Sequence, residues 1–181
     1  MTFTETKLKG CFVLEPNIFE DDRGYFFESF NKTRFNKGIG TTIDFVQDNQ
    51  SFSAQGVIRA IHYQTGVHAQ AKLVRVLSGA VLDVAVDLRK DSPTFGEYVA
   101  IELNSENKKQ LFIPKGFGHG FAVLSETAEF YYKCDNYYNK EAEAGILYND
   151  KELGIDWKIS DNEIVLSNKD LELPLFKNAK L

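Results

Sequence analysis

Short β-type runs separated by turn residues set the fold class of this chain. Lys72–Leu77 reads as a strand, Ser78-Gly79 as a turn and Ala80–Leu88 as a second strand. A two-residue connection containing Gly predicts a hairpin. Tyr98–Leu103 and Gln110–Pro114 predict another pair, around the polar loop Asn104–Lys109. Phe117–Leu124 and Ala128–Asp135 predict a third. With Gly10–Leu14, Tyr25–Phe30, Thr42–Ser51 and Val57–Tyr63, roughly ten short strands at near-regular spacing predict an antiparallel sandwich or barrel. One early helix is expected, capped by Asn31, running through Phe35 and stopped at Gly38. The tail from Lys151 is mixed, with Trp157 expected to cover one end of the sandwich.

The chain has 181 residues and no composition break, repeat or low-complexity tract. One domain spanning 1–181 is therefore expected. A net charge of −5 argues against general nucleic-acid binding, which needs a basic surface. It leaves room for a phosphate ligand held by a few Lys and Arg in one cleft. Cys11 and Cys134 have no Cys-x-x-Cys spacing and read as buried thiols in a reducing compartment. The polar Met1–Gly10 segment shows no secretory h-region, and no stretch approaches the roughly 18 apolar residues of a membrane span. A cytoplasmic protein without membrane contact is the expectation. Gly116, Gly118 and Gly120 miss the spacing of a dinucleotide loop, so a Rossmann enzyme is not expected.

The chemistry-bearing residues are few. His62 stands among apolar neighbours, as a core histidine would, but Arg59 three residues earlier suggests the wall of a site. His119 lies between Gly118 and Gly120. These glycines serve either a turn or the close approach of a ligand to the imidazole. His68 falls in a loop and reads as solvated. No His-x-His or His-x-x-x-His pair occurs, so neither a metal nor another cofactor is expected. Lys72 opens an apolar strand. It either snorkels to water or points an ammonium into a cavity. Asp83 is an acid in an apolar strand and needs a partner if buried. In Ala128–Asp135, alternation puts Phe130, Tyr132 and Cys134 on one face and Glu129, Tyr131 and Lys133 on the other. No Gly-x-Ser-x-Gly elbow supports nucleophilic hydrolysis.

Seven motifs in order carry a family resemblance: Phe19–Ser29 (FEDDRGYFFES), Phe45–Asn49 (FVQDN), Val57–Gln64 (VIRAIHYQ), Lys72–Arg75 (KLVR), Asp83–Gly96 (DVAVDLRKDSPTFG), Ile113–Phe121 (IPKGFGHGF), and Glu129–Lys133 (EFYYK) with Asn136–Tyr138. Together they resemble the dTDP-4-dehydrorhamnose 3,5-epimerases from about Leu14 to Asp170. Ala60, Ile61, Ala71, Phe112 and Tyr148 depart from the family pattern at packing positions.

The resemblance implies an all-β, cupin-type jelly roll (a double-stranded antiparallel β-helix) with a few short helices, working as a homodimer. It implies epimerisation of dTDP-4-dehydro-6-deoxy-D-glucose at C3 and C5 in dTDP-L-rhamnose synthesis. His62 matches the base, Asp170 its orienting carboxylate, Lys72 the cation facing the enolate oxygen and Tyr132 the acid. Asp83 stays open as the alternative partner of His62. Substrate contacts map onto Arg23, Glu28, Gln47, Asp48, Asn49, Arg59, Lys72, His119, Glu143 and Lys169, with Tyr138 as a stacking partner for the base. An epimerase acting at only one carbon would use the same groups. A non-catalytic sugar-nucleotide-binding jelly roll would not need His62, Lys72 and Tyr132 together. Arg59 and His62 are an odd number apart, so if both line the site a bulge or a reach around a strand edge is needed.

Overall fold

The computed structural model describes residues 1–181. In chain order the elements are β1 (Thr2–Glu5), β2 (Phe12–Glu15), β3 (Phe19–Asp21), β4 (Gly24–Phe26), α1 (Lys32–Ile39), β5 (Gln47–Ala54), β6 (Ile58–Gln64), β7 (Lys72–Ser78) and β8 (Ala80–Asp87). There follow β9 (Tyr98–Asn104), β10 (Gln110–Ile113), β11 (Phe117–Val123), β12 (Thr127–Cys134), β13 (Glu143–Gly145) and the single-turn helix α2 (Asn168–Leu171). Two antiparallel sheets, in the orders β1-β2-β10-β7-β12-β5 and β13-β6-β11-β8-β9, form the jelly roll, and β3 and β4 make a separate hairpin. No helix is long and apolar enough to cross a membrane.

The three expected strand pairs are not hairpins. β7 and β8, β9 and β10, and β11 and β12 each fall in different sheets. Each connection carries the chain from one sheet to the other, and β8 pairs instead with β9 and β11. A turn residue marks where the chain reverses. Which sheet receives the next strand is decided by burial. β8 packs Val81 and Ala85 between the sheets, while Leu82, Val84 and Val86 face the opposite way into a second core. A strand buried on both faces cannot lie at a half-solvated hairpin edge.

That second core also corrects the reading of the tail. Leu153, Trp157 and Phe176 cover the outer face of the five-stranded sheet, not an end of the sandwich. Asn31 caps α1, its side chain accepting from the Arg34 amide at 3.1 Å. The helix continues past Gly38 and ends at Gly40, whose φ of 72° is the left-handed C-cap. Gly38 lies inside the helix because the Phe3 ring packs against it.

Candidate active site

A cavity of about 490 Å³ opens where β7 begins and β12 finishes. Strand alternation selects most of its walls. β5 turns Gln47, Asn49 and Ser51 inward, β7 contributes Lys72, β11 gives His119 and Phe121, and β12 gives Phe130, Tyr132 and Cys134. Tyr138, Glu143, Lys169 and Asp170 close the remaining side. Arg59 and His62 both line it as well. His119 pairs with His62 and Phe121 with Arg59, so two steps along β11 face three along β6. The extra residue is a β-bulge at Ala60–Ile61.

The bulge explains the glycines around His119. A Cβ on Gly120 would stand 2.7 Å from the Ala60 Cβ and 2.8 Å from the Arg59 carbonyl oxygen, and one on Gly118 would meet Ile61 at 2.4 Å. Neither glycine makes a turn or gives a ligand access to the imidazole. They sit within β11 on its far side and let the bulged strand lie close.

Nε2 of His62 lies 2.7 Å from Oδ1 of Asp170. The contact is off the N–H axis, a close approach more than a linear hydrogen bond. Nδ1 of His62 is buried and makes no hydrogen bond to the protein. Asp170 is held in turn by Ser167, which caps α2. The Ser167 hydroxyl donates to Asp170 Oδ2 at 2.7 Å and accepts from the Asp170 amide at 3.1 Å. Burial acts to raise the Asp170 pKa, but its contacts with His62 and Ser167 and the nearby Lys169 charge outweigh it and keep the carboxylate ionised. Asp83 does not partner His62. It takes Nε2 of His119 at 2.6 Å.

Tyr132 faces His62 from the other sheet. Burial pushes its phenol up, with Cys134 and Glu143 adding to the effect and Arg59 opposing it. The phenol therefore stays protonated at neutral pH. Burial lowers the Lys72 ammonium, against the pull of Cys134, Asp83 and Glu143, and its Nζ lies 5.9 Å from the Tyr132 ring centre. Ser53 accepts from Arg59 Nε at 3.1 Å, which leaves the two terminal guanidinium nitrogens free. At the mouth, Glu143 bridges Lys169 at 2.6 Å and the Tyr138 hydroxyl at 2.9 Å. Gln47 accepts from the Tyr138 amide and donates to Asn49.

Three sequence candidates stand elsewhere. Asp48 points out of the opposite face of β5, where Tyr131 and Lys133 donate to it at 2.7 and 3.0 Å. Its odd offset from Gln47 and Asn49 sends its carboxylate away from the cavity. Arg23 tips the β3–β4 hairpin with its side chain 90% exposed and paired to Asp21. Glu28 pairs with Arg34 at 3.0 Å. Ser51, Gln64, Gln70 and Ser167 line the cavity although no sequence signal singled them out. For Ser167, the capping pattern ahead of Asn168-Lys169-Asp170 was available as a signal.

A jelly roll whose cavity sets an imidazole–carboxylate pair and a partly buried phenol on opposing sheets, with an ammonium 5.9 Å from the phenol ring, defines a cupin-type acid–base enzyme. The profile of the dTDP-4-dehydrorhamnose 3,5-epimerases matches residues 5–178, and this chain belongs to that family. It is 50% identical to the dTDP-4-dehydrorhamnose 3,5-epimerase of Salmonella typhimurium, over 100% of this chain and 98% of the relative. The crystal structure of the Elizabethkingia anophelis dTDP-4-dehydrorhamnose 3,5-epimerase superposes with a TM-score of 0.95 at 54% identity, covering 98% of this chain and 97% of the other. The dTDP-6-deoxy-D-glucose-3,5-epimerase of Legionella pneumophila, solved with dTDP-4-keto-L-rhamnose, superposes at 0.94 with 47% identity, covering 98% and 93%.

Proposed function

We propose that this chain epimerises dTDP-4-dehydro-6-deoxy-D-glucose at C3 and C5, giving dTDP-4-dehydro-L-rhamnose. The observation that carries this reading is that His62 and Tyr132 stand on opposing sheets across one cavity. Inverting a carbon next to a ketone requires a base on one face and an acid on the other. His62, oriented by Asp170, takes the proton from C3 or C5. The electron pair moves into the ketone, and Lys72 stabilises the negative charge that develops on O4. Tyr132 then delivers a proton to the opposite face. Solvent removes the proton from His62 and restores that of Tyr132 after each inversion, so that the pair serves the second carbon as it served the first.

Arg59 suits the diphosphate through its free guanidinium nitrogens. Gln47, Asn49, His119, Glu143 and Lys169 serve sugar and nucleotide, with Tyr138 stacking on the base. One domain spanning 1–181 carries the activity, in the cytoplasm, where the buried thiols of Cys11 and Cys134 stay reduced.

Arg23 and Glu28 match family contacts yet lie outside their own chain's cavity. We infer a homodimer in which the β3–β4 hairpin and the segment that follows it present them to the cavity of the other copy. The exposed rings of Phe19 and Phe26, 64% and 70% accessible, are the kind of surface a second copy would cover. A solution mass near twice the 20.5 kDa of one chain is expected, and a mass of 20.5 kDa contradicts the dimer.

The test of the reaction is NMR of the 4-keto substrate in heavy water. Deuterium is expected at both C3 and C5 of an inverted product. Exchange at one carbon identifies a single-site epimerase, and exchange at neither leaves a binding module.

A further inference from the structure

Asp83 and His119 form a second histidine–carboxylate pair, which the acid–base scheme above leaves unused. Asp83 is 0% exposed and His119 7%. Nε2 of His119 lies 2.6 Å from Oδ1 and 3.2 Å from Oδ2 of Asp83. No other side chain hydrogen-bonds that carboxylate. The imidazole stacks on Phe130, with ring centres 6.0 Å apart, so it cannot rotate freely. Its Nδ1 makes no hydrogen bond to the protein and is not sealed off. Among histidine nitrogens, only Nδ1 of His62 is both buried and unpartnered. His119 lines the cavity, and Nδ1 is the polar atom it has left to offer there.

The protonation of the pair decides what Nδ1 can do. An imidazolium would present an N–H to the cavity, whereas a neutral ring that donates Nε2–H to Asp83 presents a lone pair. Burial disfavours the imidazolium, and the neighbouring Lys72 and His62 disfavour it further, although Asp83 favours it. Lys72 already sets one cation among the same cavity walls, and a second would crowd it. The neutral ring with its proton on Nε2 satisfies every group.

We propose that Asp83 is a positioning residue that fixes His119 in the Nε2–H tautomer, so that Nδ1 accepts a hydrogen bond from a hydroxyl of the bound pyranose. His119 then recognises a hydroxyl donor and gives no proton to the ketone oxygen, which is left to Lys72. The identity of the ligand rests on the epimerase reading. The tautomer does not.

Two measurements test this. The chain has three histidines, so ¹⁵N-edited NMR of the uniformly labelled protein resolves each ring, and His119→Gln assigns one. At pH 7.5 the His119 ring is expected to carry its proton on Nε2 with Nδ1 bare. An Nδ1–H tautomer or an imidazolium overturns the proposal. In Asp83→Asn the amide can donate to Nε2, and the Nδ1–H form is expected to appear while the His62 signals stay in place. An unchanged tautomer removes the positioning role. If Asp83→Asn does not fold, the unmodified protein still decides the tautomer.

The second measurement is calorimetric binding of dTDP-glucose and its 2-deoxy and 3-deoxy analogues. The protein is expected to bind one deoxy analogue about 3- to 10-fold more weakly, the usual worth of one neutral hydrogen bond. His119→Phe is expected to bind that analogue and the parent alike. Equal binding of all three ligands by the unmodified protein refutes the hydroxyl contact. Failure of the epimerisation assay, with the expected tautomer present, would instead count against the reaction.

Discussion

Arg59 and His62 stand on the same wall of the cavity although three residues separate them along β6. The bulge at Ala60–Ile61 absorbs the odd residue, and Gly120 on β11 provides the room for it. One irregularity in the hydrogen-bonded ladder thus brings the Arg59 guanidinium and the His62 imidazole onto one wall of the cavity.

Gly120→Ala tests that relationship. Its methyl would meet the Ala60 side chain and the Arg59 backbone, neither of which can swing aside. A loss of about 1–3 kcal/mol in urea unfolding is expected, as for an overpacked core, together with a fall in kcat as His62 moves. Unchanged stability and activity would mean that the bulge tolerates a side chain.

His62→Asn is expected to reduce epimerisation by about 10²–10⁴-fold, the range for a positioned general base. Asp170→Asn acts in the same direction by removing the charge beside Nε2. Ser167→Ala costs about 1 kcal/mol of stability through the lost cap and leaves an activity between those of the parent and Asp170→Asn. Steady-state kinetics decides the order. A silent Asp170→Asn would detach that carboxylate from the reaction.

Much of this site was legible in the sequence. Strand parity set Tyr132, Phe130 and Cys134 on one face and Tyr131 and Lys133 on the other, and the charges of Glu129 and Lys133 marked the second face as outward. The odd offset of Arg59 and His62 called for a bulge or a reach around a strand edge if both lined the site, and the fold uses a bulge. Pairing was not legible. Gly79 reports a reversal of direction, whereas the sheet that β8 joins depends on β9 and β11, remote in sequence. The role of Gly118 and Gly120 was hidden for the same reason, since the residues they accommodate lie on β6. Parity also applies to β5, where it sends Asp48 outward, against the assignment carried by resemblance. Asp83 announced its need for a partner, but only the fold supplies His119.

The buried His119 gives stability a pH dependence of known sign. Burial first, then Lys72 and His62, lower its pKa from about 6.5 against the pull of Asp83. Between the lowered folded value and 6.5, the unfolded chain binds the proton and the folded chain does not. Stability therefore rises with pH across that window. The contribution is full above 6.5 and is lost as the pH falls through the folded value. Urea unfolding at pH 7.5 and 5.5 should show a larger loss for the parent than for His119→Gln. Equal losses would mean that His119 titrates alike in both states.

The most direct measurement is Tyr132→Phe turned over in heavy water, with Tyr131→Phe as the control. Tyr131 donates to Asp48 on the outer face, so its change should leave inversion intact. In Tyr132→Phe the base on the opposite sheet survives. His62 is expected to remove the substrate proton, exchange it with solvent and return deuterium to the same face, labelling the sugar without inverting it. Inversion at both carbons at the parent rate by Tyr132→Phe would contradict an acid and a base set on opposite sheets.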